Sequence, residues 1–207
     1  HCDERGDDND DQHFQLMNRN SSVEIVDIME DVVKATAADC KITVMGIDGR
    51  FTAIECPDLN YVFGNSRYVK DHLDEMSRTS CGTSGKLPMI ALFCPIIESR
   101  EDPDCQATAK VRILIAASTM RQWNNEQRRE YSFENVLRPI YNSFIEALIA
   151  DDRLDFGYRD FVKHKYSENY SYGRYGALDS SGEAVSEPID AINITDLELK
   201  INKKTCR

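Results

Sequence analysis

Apolar residues recur at helical spacing across YSFENVLRPIYNSFIEALIADDRL, residues 131–154: Phe133, Val136, Leu137, Ile140, Tyr141, Phe144 and Leu148 fall on one side. That spacing predicts an amphipathic helix. Pro139 stands inside the pattern, where it removes a backbone donor and crowds the preceding turn. Residues 126–150 are therefore expected as two helical stretches or one kinked helix. A helix initiated at the proline after an irregular turn fits the pattern as well.

The same period predicts a first helix over 21–38. Its inner face is Ile25, Val26, Met29, Val32 and Val33, and Ser21 with Glu24 form a capping box. Next, KITVMGIDGRFTAIEC reads as two strands, 41–46 and 51–56, joined by a type I′ turn at Asp48 and Gly49. A short helix is expected over 66–77, with Ser66 as cap and Tyr68, Val69, Leu73 and Met76 turned inward. TSCGTSGK follows as a loop.

LPMIALFCPII (87–97) reads as a buried strand that Pro95 marks as an edge or a bulge. KVRILIAAST (110–119) is a second long strand, with EDPDCQ as the turn before it. Asn124 and Gln127 can cap the following helix. In the closing strand, 188–201, the apolar phase changes: Ile192 and Ile194 share one parity, while Leu197, Leu199 and Ile201 share the other. One extra residue at Thr195 and Asp196, a β-bulge, would bring both halves onto one face.

The order α-β-β-α-β-β-α-β predicts an α+β fold: a mostly antiparallel sheet with helices packed on one side. The 207 residues suit one domain over 21–207, preceded by an acidic arm, 1–20, and carrying a Tyr-rich insertion at 155–188. With 41% hydrophobic and 29% charged residues, the composition is that of a globular protein. No stretch approaches the ~20 apolar residues of a membrane span. HCDERGDD has no apolar run and no initiator Met, so the numbering is expected to begin inside the gene product or after processing.

Net charge is −11, which disfavours general binding to a phosphate backbone. The arm holds Asp3, Glu4, Asp7, Asp8, Asp10 and Asp11 around Arg5. It lacks the calcium-loop spacing and central Gly, and reads as a solvated or partner-bound segment. Seven Cys, an odd number without a CxxC, point to reduced, buried thiols. The His positions show no ligand pairing, so neither metal nor cofactor is expected.

The insertion contrasts with the rest of the chain. Five of the nine Tyr fall within 158–175, among Arg159, Lys163, Lys165 and Arg174. It reads as an Ω-loop on its own domain, a contact surface for another chain or, third, a nucleic-acid contact. The interface candidates are Asp7, Asp8, Asp10 and Asp11 in the arm, and Arg159, Tyr166, Tyr170, Tyr172, Arg174 and Tyr175 in the insertion. No nucleophile elbow, phosphate loop, dinucleotide fingerprint or zinc-protease motif occurs. Glu198-Leu199-Lys200 with Asp190 mimics the acidic-x-Lys pattern of metal-dependent nucleases, at a spacing that any half-exposed strand produces.

LPMIALFCPIIESRED, ATAKVRILIAAST, SFENVLRPIYNSFIEAL and DAINITDLELKI together resemble the tail-terminator or tail-completion proteins of bacteriophages. More narrowly, the chain is similar to proteins of phages of gut Bacteroidota, crAss-like phages among them. The likeness covers the order of elements over roughly residues 21–201. Its most specific parts are Leu137, Arg138, Pro139, Ile140 and Tyr141, and the strand 190–201. The resemblance implies a non-enzymatic virion protein, assembled in the host cytoplasm, that forms a homo-oligomeric ring in multiples of six. Its partners would be copies of itself and portal, neck or tail proteins. There would be no membrane partner, and DNA would only pass through the lumen. The acidic arm and the 155–188 insertion depart from the compact family plan and leave the position in neck or tail open. A protein-binding adaptor is the second expectation and a nuclease the third.

Overall fold

The structure, a computed structural model, describes residues 22–46, 48–78, 87–101, 106–173 and 188–202, without the side chains of 73–78 and 171–173. The acidic arm, the whole of the expected TSCGTSGK loop and the centre of EDPDCQ lie outside them.

The fold is α+β. Along the chain run α1 (Ile25–Asp39), β1 (Lys41–Met45), β2 (Phe51–Glu55), β3 (Asn60–Gly64) and α2 (Ser66–Arg78). Strands β4 (Met89–Phe93), β5 (Glu98–Ser99) and β6 (Gln106–Ser118) follow. A long helix comes next in three parts: α3 (Asn125–Arg128), a π-helical run (Arg129–Leu137) and α4 (Arg138–Ala150). Strands β7 (Lys165–Gly173) and β8 (Ile189–Asn202) close the described chain.

Six strands form one mixed sheet in the order β3-β4-β6-β8-β7, with β5 beside β6. All pairings in it are antiparallel except β3 with β4. Strand β6 is its axis. Ala107, Ala109, Val111, Ile113, Ile115 and Ala117 face the main core, which α1, the π-helical run and α4 cover. Phe133, Ile140, Phe144 and Leu148 enter that core with no exposed surface. The closing strand behaves as its pattern predicts. Val111 pairs with Leu197 but Ile113 pairs with Ile194, so β8 carries one extra residue. Asp196 takes a left-handed φ of 53° in that bulge. As a result Ile192, Ile194, Leu197, Leu199 and Ile201 all face the core.

Helices do not pack on one side only. Val69 of α2 is buried on the opposite face, with Val62, Met89, Ala91 and Leu114. Three strands also go beyond the predicted order: β3, which is parallel to β4; the short β5; and β7, which occupies part of the expected irregular insertion. Strand β1 pairs with β2 in a separate hairpin. There Gly49 takes a φ of 73° while Asp48 does not, and the Gly49 N–H donates to the Gly46 carbonyl (3.0 Å). The turn is thus not the expected type I′, which needs two left-handed residues.

Caps differ in detail. Helix α1 begins after Glu24, which is therefore its N-cap rather than the third residue of a capping box; Ser21 lies outside the described residues. The Ser22 hydroxyl instead accepts from the Glu24 N–H (3.3 Å) and donates to Asp27 (2.5 Å). Asn65, rather than Ser66, caps α2 by accepting from the Tyr68 N–H (2.8 Å). Tyr68 itself is more than half exposed, because it lies over Gly64 rather than in the core. The box of Asn124 and Gln127 forms in both directions. Of the described thiols Cys40 is buried, Cys94 half-buried and Cys56 exposed, so burial does not extend to all of them.

Pro139 lies at the junction of two helix types. Ahead of it the backbone is π-helical, and the Arg138 N–H donates to the Phe133 carbonyl five residues back. Pro139 then falls in the first turn of α4, where a missing N–H leaves no α-helical acceptor unserved. The wider π turns also move the preceding carbonyls away from the register in which a proline ring collides with them.

Candidate functional site

The outer face of the sheet changes character along β6. Leu114 and Ala116 are buried on it, whereas Thr108, Lys110 and Arg112 are exposed. Lys110 stands opposite Glu198, and Thr108 opposite Lys200, on β8. These polar residues floor an open groove of about 920 Å³. One wall carries Ile97 and Ser99, and the other is the loop 155–163.

That loop is held at both ends by β8. Leu154 bridges Ile201, the Asp155 N–H donates to the Lys200 carbonyl (2.9 Å), and the Glu198 N–H donates to the Lys163 carbonyl (3.0 Å). Within it the Asp155 side chain accepts from the Gly157 N–H (2.8 Å), and Gly157 takes a φ of 75° that suits glycine. Supported in this way, Tyr158 is fully exposed and Phe161 is 73% exposed, across from Ile97 at 77%.

The groove is charged along its floor. Glu198 lies between Lys163 (3.0 Å) and Lys110 (3.2 Å), and Lys200 reaches Asp155 (3.5 Å). Hydrogen bonds from Lys163, then from Lys110, hold the Glu198 carboxyl below its ordinary range. Close by, Lys165 does the same to Asp196 (2.7 Å). Three lysines against two carboxylates make this a cationic spot on a chain whose net charge is −11.

A second polar cluster sits on the other face, between β7 and the long helix. Arg138 holds Glu168 through two hydrogen bonds (2.7 and 3.1 Å), and the Tyr166 hydroxyl donates to the same carboxylate (2.6 Å). Glu168 is thereby held below its ordinary range, chiefly by Arg138, while burial and Glu168 push the Tyr166 hydroxyl up. Tyr141 and Tyr166 meet edge to face, with centroids 4.9 Å apart. His164 Nδ1 donates to the Val162 carbonyl (2.8 Å), which can only accept, and Nε2 lies 2.8 Å from the Tyr141 hydroxyl.

The structure thus separates the interface candidates. Arg159 is exposed on the groove loop. Tyr166 and Tyr170 project to the helix side instead, where Tyr170 lies on Phe133 with centroids 4.3 Å apart. Tyr172 falls on β7 with its side chain outside the described residues, and Asp7, Asp8, Asp10, Asp11, Arg174 and Tyr175 lie wholly outside them. The groove residues Ile97, Lys110 and Phe161 were not singled out as an interface in the sequence. The nuclease-like residues do not converge. Asp190 is buried on the helix side against Arg128 (3.1 Å), whereas Glu198 and Lys200 face the groove. Among the described residues no group of three or more His, Cys, Asp or Glu is placed to hold a metal ion, and no helix is long and apolar enough to cross a membrane. No protein-family model matches the chain, and no curated protein matches it.

Proposed function

We propose that this chain is a non-enzymatic structural subunit of a bacteriophage neck or tail, assembling into a homo-oligomeric ring of tail-terminator type. One observation carries the reading: the loop 155–163 is fixed to β8 at both ends yet leaves Tyr158 and Phe161 open to solvent, Phe161 lining the groove with Ile97. Exposed aromatics on a rigid support are the anchors of a protein contact. The order of elements over 21–201 supplies the kind of assembly, through its resemblance to the phage family. In this reading the groove and its loop meet a neighbouring copy or an adjacent portal, neck or tail protein, and DNA passes only through the lumen.

Light scattering coupled to size exclusion tests this directly, with particle images to count subunits. A ring of six or a multiple of six supports the proposal. A monomer at all concentrations, alone and with co-expressed neck proteins, refutes it. A protein-binding adaptor is the second reading, favoured by the groove itself, which would then hold a segment of a different protein on a monomer. The chain should leave DNA intact in the presence of Mg²⁺ or Mn²⁺. Cleavage that disappears in Glu198→Gln would overturn both readings.

A further inference from the structure

The groove has a fitting occupant within the sequence. We infer that it receives the acidic N-terminal segment, residues 1–20, of an adjacent copy. The inference rests on the ring reading for the source of the segment, though not for the chemistry of the groove.

Segment and groove are complementary in kind. The segment carries Asp3, Glu4, Asp7, Asp8, Asp10 and Asp11, and then an apolar stretch with Phe14, Leu16 and Met17. The groove offers Lys110, Lys163 and Lys200 along its floor and lip, with Ile97 and Phe161 as an apolar rim. Its lysines are shared among fewer carboxylates: Lys110 and Lys163 both lean on Glu198. An incoming carboxylate therefore takes over one lysine while Glu198 keeps the other. Exposed ion pairs exchange in this way at little cost.

The root of the segment points to a neighbour. The Ser22 carbonyl accepts from Arg153 (3.2 Å), and the same guanidinium nitrogen reaches Asp31 of α1 (3.0 Å). Ser22, the first described residue, thus stands beside the helix layer, while the groove opens on the opposite face of the sheet. Head-to-tail packing, with the helix layer of one copy against the sheet face of the next, brings root and groove together. A contact of that kind closes into a ring when its rotation permits. Twenty residues extend to at most roughly 70 Å, so reach is not limiting.

The test uses the full chain with Asp7, Asp8, Asp10 and Asp11 changed to Asn, so that its own segment competes poorly. A fluorescein-labelled peptide of residues 1–20 is titrated into it and followed by anisotropy. Saturable binding is expected, weakening as salt rises. Lys110→Glu with Lys163→Glu should weaken it by about tenfold or more, whereas Lys34→Glu, on the helix layer, should not. Peptide carrying Phe14→Ala and Leu16→Ala should also bind more weakly. Matching circular dichroism melts verify that the groove variants fold. Absence of binding at low salt, equal binding by the groove variants, or equal binding of a scrambled peptide would overturn the inference. Light scattering keeps the two readings apart. A monomer that binds the peptide retains the groove assignment and refutes the ring, while a ring that binds no peptide, or whose groove variants bind it as tightly as the parent, does the reverse.

Discussion

Arg128→Met should be among the most damaging single changes in this protein. Arg128 is 6% exposed and Asp190 is wholly buried. The guanidinium donates to Asp190 (3.1 Å), to the Trp123 carbonyl (3.1 Å) and to the Met120 carbonyl (3.3 Å). It therefore ties the segment before the long helix to the start of β8. Methionine fills similar volume, so little cavity forms, but the buried Asp190 carboxylate loses its contact with the Arg128 guanidinium. Removing one partner of a buried pair costs about 3–5 kcal/mol. Asp190→Leu added to Arg128→Met removes that buried carboxylate as well. The double variant should recover all but about 1–2 kcal/mol, the cost of two backbone carbonyls left without their donor. Urea titration of the parent, both single variants and the double variant gives the coupling directly. A coupling of about 2 kcal/mol or more is expected. A loss below about 1 kcal/mol for Arg128→Met would mean that the pair is hydrated, against its near-complete burial.

Phe144→Ala removes a ring with no exposed surface from the main core and should cost about 3–5 kcal/mol in the same titration; a loss below about 1 kcal/mol would contradict its position. Pro139→Ala should change stability by less than about 1 kcal/mol, because the proline already sits in a first helical turn, whereas relief of about 3 kcal/mol would place it inside an unbroken α-helix. Asp151 supplies a pH signature. Burial raises its carboxyl, but hydrogen bonds and charge from Arg153 outweigh that and leave it below its ordinary value of 3.8. A carboxyl lowered on folding stabilises the protein above its unfolded value, and that contribution is lost as pH falls through the folded one. Urea midpoints measured from about pH 5 down to pH 3 should therefore fall more steeply for the parent than for Asp151→Asn; parallel curves would remove Asp151 from the acid response.

Where apolar residues set the period, the sequence was legible. The long helix, the axial strand β6 and the β8 bulge all follow from residues that end in the main core. Strand β7 was not, for a physical reason. Its helix-facing residues are Tyr166, Glu168 and Tyr170, and its other face is Lys165, Ser167 and Asn169. An edge strand that packs through phenol rings and an ion pair to Arg138 leaves no aliphatic alternation to read. Strand β3 is short and pairs parallel with β4, so no hairpin signal announces it. The π-helical run was equally hidden, since buried positions spaced by three and four are shared by α- and π-helices over so few turns. Clusters of tyrosine and charge drew attention to residues 158–175, but not to which of their side chains would face out. Tyr170 packs its ring on Phe133, while among the described residues the most exposed aromatics are Tyr158 and Phe161 of the preceding loop.

The groove itself follows from a single residue of β8. Up to Ile194 the even-numbered positions of that strand face the helices; beyond the bulge the odd-numbered ones do, as Leu197, Leu199 and Ile201. Paired in unbroken alternation, with no bulge to absorb the extra residue, the same chain would drive Glu198 and Lys200 into the core and turn Leu197, Leu199 and Ile201 to the outer face beside Thr108 and Lys110. Burying two charges without designed partners costs several kcal/mol each, so that register cannot compete. The bulge therefore serves two ends at once. It completes the main core on one face, and on the other it sets Glu198 between Lys110 and Lys163 with Lys200 beside them. Core completion alone accounts for the apolar residues of the strand. It does not require the outer positions to be charged, nor a loop to be pinned over them with its aromatic residues turned to solvent. Those features are where selection for a partner, rather than for folding, is to be sought in this chain.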